Sequence, residues 1–175
     1  MKKIFRAICL CMAVLLPATI LAQNPDVEKM VANWERAKAY TKEYLDAMPE
    51  DGYGFKPTPE IRSFAEQMLH LAEANYGLSS MATGKPSPYK WGELEKSYKS
   101  KEQTIKDVMA SYDFVITGIR EMKPETFSGE MEMMGKKFSK LEGLEKTFEH
   151  QTHHRGQTTI YLRLKGVQPP QEKLL

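Results

Sequence analysis

Four stretches of the sequence repeat apolar side chains close to the 3.6-residue period of an α-helix, and clusters of proline and glycine separate them. The first stretch begins at residues 24–26, Asn-Pro-Asp, a combination that favours a helix start through its capping, proline and acidic residues. Its repeating face comprises Val27, Met30, Val31, Trp34, Thr41, Tyr44, Leu45 and Met48. We expect the aromatic residues Trp34, Tyr40 and Tyr44 to lie in the core rather than to form a ligand cage. Two prolines and two glycines within residues 49–57 predict a loop.

A second helix is expected to begin at residues 58–60, because Thr-Pro-Glu repeats the pattern that starts the first helix. Its apolar face comprises Ile61, Phe64, Ala65, Met68, Leu71 and Ala72. The glycine and two prolines of residues 84–88 end this helix. Residues 89–98 form a connector in which we recognise no periodic pattern.

The third helix is predicted to start at residues 100–103, which have the form of a capping box, and to stop at Pro124. Its apolar face is the cleanest in the chain and comprises Ile105, Val108, Met109, Tyr112, Val115, Ile116, Ile119 and Met122. Residues 124–139 are compatible with either a short hairpin or an irregular loop.

The fourth helix should begin between Ser139 and Gly143 and extend to Lys165, with Gly166 as its C-terminal cap. Four helices of this length, joined by loops, indicate a bundle in which the apolar faces pack against one another. The sequence therefore predicts an all-α protein with the architecture of a four-helix bundle.

The first 22 residues have the order of a secretory signal peptide. A basic start is followed by an apolar run at residues 7–16, which is too short to span a bilayer, and then by small residues up to Ala22. We expect cleavage after Ala22, so that residues 1–22 are a signal peptide and residues 23–175 form the mature domain. The mature protein should then be periplasmic or secreted and have no stable membrane span. An uncleaved anchor is the alternative.

Removal of this leader changes both the charge and the cysteine content. Lys2, Lys3 and Arg6 are lost with it, so 22 of the 25 basic residues remain against 23 acidic ones and the net charge becomes −1. A nucleic-acid partner is therefore not expected, because phosphate binding needs a clustered basic excess. Cys9 and Cys11 are also lost, which excludes disulfides, thiolate ligands and a cysteine nucleophile in the mature protein.

Three of the four histidines lie within five residues of the predicted fourth helix. His150 and His154 are one turn apart on the same face, so both imidazoles can reach one cation. His70 lies off the apolar face of the second helix, on a side with small or polar residues. Catalytic metal sites usually take three protein ligands and keep one position open. We therefore predict a metal site formed by His70, His150 and His154.

Five other residues near this pattern have weaker claims to a role. His153 is turned by about 100° from the neighbouring ligand, so it should contact surrounding groups or the surface rather than the same ion. Glu149 is either a functional acid or, as we favour, a solvated charge. Arg155 is expected to pair with a carboxylate rather than to bind substrate. Gln157 and Tyr161 follow on the ligand face and are the best candidates to orient a bound water or substrate.

The run His150-x-x-His153-His154-Arg155-Gly156-Gln157, with residues 161–167 and the two prolines after them, resembles the C-terminal signature of the DinB/YfiT-like metalloprotein family. Residues 63–70 resemble the corresponding part of the second helix of that family. The resemblance covers essentially the whole mature chain. It implies a four-helix bundle with a three-histidine metal centre, here at His70, His150 and His154, that binds zinc, nickel or a related ion. Members of this family are often homodimers, so the resemblance also implies that this protein can form a homodimer.

The same resemblance leaves the reaction open. Some relatives are transferases or isomerases that use a low-molecular-weight thiol, and many have no known reaction. The signal peptide is a departure, because typical relatives are cytoplasmic. Our first expectation is an exported metal-dependent transferase or hydrolase that activates a thiol or water for an unknown small-molecule substrate. The alternatives are a metal-binding stress or interaction protein without turnover, and a helical module without metal.

Overall fold

The computed structural model describes residues 25–174, so the predicted signal peptide lies outside the described residues. Four long helices form the bundle: α1 (Pro25–Ala47), α2 (Phe64–Thr83), α3 (Lys101–Glu121) and α4 (Lys140–Leu164). A two-stranded antiparallel hairpin, β1 (Glu130–Met133) and β2 (Lys136–Ser139), connects α3 to α4, and short 3-10 turns precede α2 and β1. The four-helix bundle is confirmed, and residues 124–139 adopt the hairpin alternative. Within residues 25–174, no helix is both long and apolar enough to cross a membrane.

The start of α2 differs from the sequence prediction. The helix begins at Phe64 and not at residues 58–60, because Ser63 and Glu66 form a reciprocal capping box. The Ser63 hydroxyl accepts from the Glu66 N–H at 3.2 Å, and the Glu66 carboxylate accepts from the Ser63 N–H at 2.6 Å. Two otherwise unpaired donors are satisfied together, which favours this start over a simple threonine cap. Ile61 therefore precedes the helix and is exposed, although the apolar pattern had included it.

The other helix ends agree closely with the sequence. Ser100 caps α3 and Ser139 caps α4, the latter in a second capping box with Glu142. The box expected at the start of α3 is only half formed, because the Gln103 side chain donates to Asp107 instead of returning to the cap. Gly166 follows α4 with a left-handed φ of 73°, as expected for a residue that ends a helix.

The interior of the bundle is built around Trp34 of α1, which is fully buried. Its ring meets the rings of Tyr112 and Phe148 edge-on, with centroids 5.7 and 5.3 Å apart. Tyr40 and Tyr44 are also buried, so the prediction that these three aromatic residues belong to the core is confirmed.

The helix α2 lies at the centre of the contacts, since it packs extensively on both α3 and α4. Its approach to α3 depends on Gly118, where an added Cβ would lie 3.0 Å from the Thr83 side chain. Its packing against α4 places the polar side of α2, which carries His70, opposite the histidine pair of α4. This pairing of helices is what creates the candidate site.

A buried polar network links three of the helices through the Tyr112 hydroxyl. Tyr112 donates to Gln151 Oε1 at 2.8 Å, which leaves its oxygen to accept from the Thr41 hydroxyl at 2.7 Å. Gln151 lies on α4 between the two histidines of the predicted site, so the network fixes the rotation of that helix against α1 and α3.

Candidate metal centre

The three histidines predicted as ligands converge between α2 and α4. The ring centroid of His70 lies 5.4 Å from that of His150 and 4.6 Å from that of His154, and the pair on α4 is 4.3 Å apart. One ring nitrogen of each histidine lies within 4.8 Å of the other two. Nitrogens bound tetrahedrally to one ion would be about 3.4 Å apart, given bonds of about 2.1 Å. A small inward shift of the imidazoles is therefore enough for all three to hold an ion.

Two of these imidazoles have a hydrogen-bond partner at Nδ1. His70 Nδ1 lies 2.7 Å from Glu95 Oε2, and His154 Nδ1 lies 2.8 Å from the Gln67 side-chain amide. These contacts leave Nε2 of both rings free for a metal ion. Histidine ligands in proteins commonly use one nitrogen for the metal and the other for such an orienting contact.

The third imidazole, His150, carries a different mark of an ion-binding site. Its Nδ1 is buried and has no hydrogen-bond partner within the described part of the chain. A buried polar atom without a partner is costly and uncommon. An ion bound by the three rings would give this imidazole the polar partner that the surrounding side chains do not supply.

Burial keeps the two histidines of α4 neutral. It lowers the pKa of His150 to about 4 and that of His154 to about 3, with further lowering by the neighbouring imidazoles and by the positive charge of Arg62. Neutral imidazole is the form that donates a lone pair to a metal ion. These two donors are thus ready to bind a cation at neutral pH without losing protons.

The Glu95 carboxylate is the one charged group in direct hydrogen-bond contact with a ligand histidine among the described residues. Burial would raise its pKa, but hydrogen bonds and charges from Arg62 and His70 outweigh this effect and lower the pKa below its ordinary value. Arg62 donates from Nε to Oε1 at 2.7 Å and from Nη2 to Oε2 at 3.2 Å. Glu95 is therefore an ionised acceptor held in a two-pronged ion pair.

Neither Glu95 nor Arg62 was singled out from the sequence. Glu95 belongs to the connector at residues 89–98, which has no periodic pattern, and nothing in its sequence separates it from the other acids. The side chain of Glu73, buried on α2, accepts the backbone N–H groups of Gly92, Leu94 and Glu95 and thereby holds this connector against the helix. This long-range contact and the ion pair with Arg62 together bring Glu95 to His70.

Two of the five additional candidate residues, Glu149 and Arg155, have contacts that do not involve the three histidines. Glu149 is exposed and pairs with Lys146 at 2.8 Å, which fits the solvated charge that we favoured. The prediction for Arg155 is wrong: within residues 25–174 it makes no ion pair, and it lies over the Tyr40 ring at 4.5 Å and donates to Gln151 at 3.2 Å. Burial among aromatic and amide groups has replaced the expected carboxylate.

The other candidates lie close to the centre. His153 is exposed and its Nε2 lies 2.9 Å from the Gln157 amide, which in turn contacts Gln67 beside His154. His153 thus contacts surrounding groups, as predicted. The Tyr161 hydroxyl donates to the backbone oxygen of Arg62 at 2.8 Å, so it is engaged in holding the segment before α2.

A groove of about 680 Å³ lies directly beside the histidines. Four of its lining residues, Arg62, Gln67, Glu95 and Gln157, belong to the hydrogen-bonded groups around the centre. The rest of the lining includes exposed apolar side chains, Ile61 and Ile160. A separate apolar cavity of about 410 Å³ lies between the first turns of α1 and α4 and includes none of the histidines.

The geometry defines a class of protein: a helical bundle in which two helices present three imidazoles to one point beside an open groove. The family model of the DinB family matches residues 21–175, and the chain belongs to this family. The resemblance recognised in the histidine motif is thereby confirmed. None of the curated proteins compared with the chain matches it.

Solved structures support the same fold. A DinB-like protein from Bacillus cereus has a TM-score of 0.71 and 17% sequence identity, and the match covers 83% of this chain and 97% of that one. A DinB-like protein from Bacillus subtilis has a TM-score of 0.65 and 19% identity, covering 84% and 96%. A conserved protein from Enterococcus faecalis has a TM-score of 0.65 and 16% identity, covering 79% and 95%. At these identities the likeness concerns the fold alone.

Proposed function

We propose that His70, His150 and His154 bind one divalent metal ion, zinc or nickel in the first place, and that this centre is the functional site. The observation that carries the proposal is the convergence of three imidazoles, two of which already have orienting contacts at Nδ1. Three uncharged ligands would leave the full charge of the ion at the site and one position open for another ligand.

We further infer that the protein is a metal-dependent transferase or hydrolase. A divalent ion held in this way lowers the pKa of a bound water or thiol and polarises a carbonyl group. The groove beside the centre is large enough for a small molecule, with Ile61 and Ile160 as apolar contacts and the Gln67 and Gln157 amides as polar ones. The residues that line the groove would thus bind the substrate and orient it beside the ion.

Metal analysis of the purified mature protein tests the first part of the proposal. The native protein should contain about one ion per chain, His154→Ala should lose it, and His153→Ala should keep it. His153 is the matched control, because it is the adjacent histidine but is exposed and does not belong to the cluster of ring nitrogens formed by His70, His150 and His154. Absence of stoichiometric metal from the native protein, or full occupancy in His154→Ala, would refute the metal site.

A substrate screen on the same three proteins tests the catalytic part. Thiol conjugation and hydrolysis of small esters and amides are the reactions to examine. Activity in the native protein and in His153→Ala that disappears in His154→Ala would support a metal-dependent enzyme. Turnover that survives in His154→Ala would exclude the catalytic role, whereas bound metal without any turnover would favour a metal-binding stress or interaction protein.

Export and dimer formation are further proposals. The order of charged, apolar and small residues in positions 1–22 supports a cleaved leader, and the family resemblance supports a homodimer. Light scattering of the mature protein measures the second: a mass of one chain at micromolar concentration would exclude a stable dimer.

A further inference from the structure

Two partners of the ligand histidines differ in one chemical respect. The Gln67 amide beside His154 can either donate or accept a hydrogen bond, so its contact is compatible with both neutral forms of the imidazole. The ionised Glu95 carboxylate beside His70 can only accept. A neutral His70 in contact with Glu95 must therefore carry its proton on Nδ1, which leaves the lone pair on Nε2 as the one that can bind an ion.

The position of Glu95 is itself fixed by two groups. Arg62 engages both carboxylate oxygens, which prevents rotation of the carboxylate away from His70. The buried Glu73 carboxylate accepts the Glu95 backbone N–H at 3.1 Å and that of Leu94 at 2.9 Å, and so ties the connector to α2. Glu73 lies one turn beyond His70 on the same helix, so ligand and connector share one rigid support.

We propose that Glu95 is the positioning residue of His70: it holds the proton on Nδ1, presents Nε2 to the ion, and is kept in place by Glu73. The part that concerns the ion rests on the proposed metal-binding function. His70 needs such a partner more than the histidines of α4 do, because it is the only ligand from a different helix and its ring must be aimed across the helix interface.

Zinc titration against a competing chelator measures the consequence for metal affinity. Glu95→Ala should weaken zinc binding by about 10- to 100-fold, the range found when such orienting partners are removed. Glu95→Gln keeps an oxygen that can accept from Nδ1–H, so its loss should be smaller. Glu93→Gln is the matched control, since it removes the same charge from the same connector. Among residues 25–174, the Glu93 carboxylate accepts a hydrogen bond from the Lys90 backbone N–H alone. Equal affinity of Glu95→Ala and the native protein would overturn the proposal.

Nitrogen NMR shifts of the His70 ring give a readout that a purely structural role would not move. In the metal-free native protein at pH 8, His70 should be protonated on Nδ1, and in Glu95→Ala it should shift towards protonation on Nε2. The rings of His150 and His154 should change little. A native His70 protonated on Nε2 would refute the positioning role even if zinc binds. Failure of the native protein to bind zinc would instead refute the proposed function and leave the proton position to decide the role of Glu95.

Glu73→Gln tests the anchor. The amide keeps one oxygen acceptor and turns an N–H group towards the backbone donors on the other side, so the connector should loosen and the His70 signal should move towards that of Glu95→Ala. Circular dichroism checks that the helices persist in each variant. A folded Glu73→Gln protein with native zinc affinity and a native His70 signal would show that Glu73 does not hold Glu95 in place.

Discussion

Replacement of Tyr112 by phenylalanine removes one oxygen from the centre of the bundle and keeps the ring that packs against Trp34. The hydroxyl makes two buried hydrogen bonds, to Gln151 and from Thr41. Each such bond contributes about 0.5–1.5 kcal/mol to stability. Gln151 keeps a second donor in Arg155, but the fully buried Thr41 hydroxyl must find a backbone carbonyl of its own helix. We therefore expect a loss of about 2 kcal/mol.

Urea unfolding followed by circular dichroism measures this loss, and the melting temperature should fall by about 4–8 °C for a domain of this size. Tyr98→Phe is the matched control, because Tyr98 is partly exposed and has no hydrogen bond from its hydroxyl within residues 25–174. That control should change the free energy of unfolding by less than about 0.5 kcal/mol. A Tyr112→Phe protein as stable as the control would refute the assignment of this network as a structural link.

A double-mutant cycle with Thr41→Val tests whether the Tyr112 and Thr41 hydroxyls interact. Thr41→Val alone leaves the Tyr112 hydroxyl bonded to Gln151, so it should be the milder of the two single substitutions. In the double variant Thr41 no longer has a hydroxyl that needs a partner. The combined loss should therefore be smaller than the sum of the single losses by about 0.5–1 kcal/mol. Additive losses would show that the two hydroxyls do not interact in solution.

Four further outcomes are expected. Met134→Asn should stabilise the protein by about 0.5 kcal/mol in urea unfolding, because the Met134 φ of 52° in the hairpin turn suits asparagine better. An equal or lower midpoint would contradict this reading of the turn. Ser139→Ala should cost about 1 kcal/mol through loss of the α4 capping box, and no change would exclude that contribution. Zinc at 100 times its dissociation constant should stabilise the native protein and His153→Ala by about 2.7 kcal/mol but leave His154→Ala unchanged, whereas equal shifts would indicate binding elsewhere. Mass spectrometry of the exported protein should find Gln23 as its first residue, and an intact Met1 there would contradict cleavage.

The local features of this protein were readable from the sequence. Apolar periodicity predicted all four helices, and the four-residue spacing of His150 and His154 determined that both rings lie on one face of α4. The start of α2 was misplaced because two capping patterns occur within six residues. The reciprocal bonds of Ser63 and Glu66 prevail over the earlier Thr-Pro-Glu pattern. Such features follow from interactions between residues a few positions apart, which the order of the side chains contains directly.

The complete site required the tertiary structure. The packing of α2 on α4 decides that His70 meets the histidine pair, and the side chain of Glu73 decides that Glu95 reaches His70 from a connector without a pattern. The contacts of Arg155 could not be predicted from the sequence for the same reason, since its aromatic and amide neighbours lie on another helix and on another turn of α4. Contacts between distant segments depend on which faces the whole bundle buries together, and no single stretch of sequence specifies that choice.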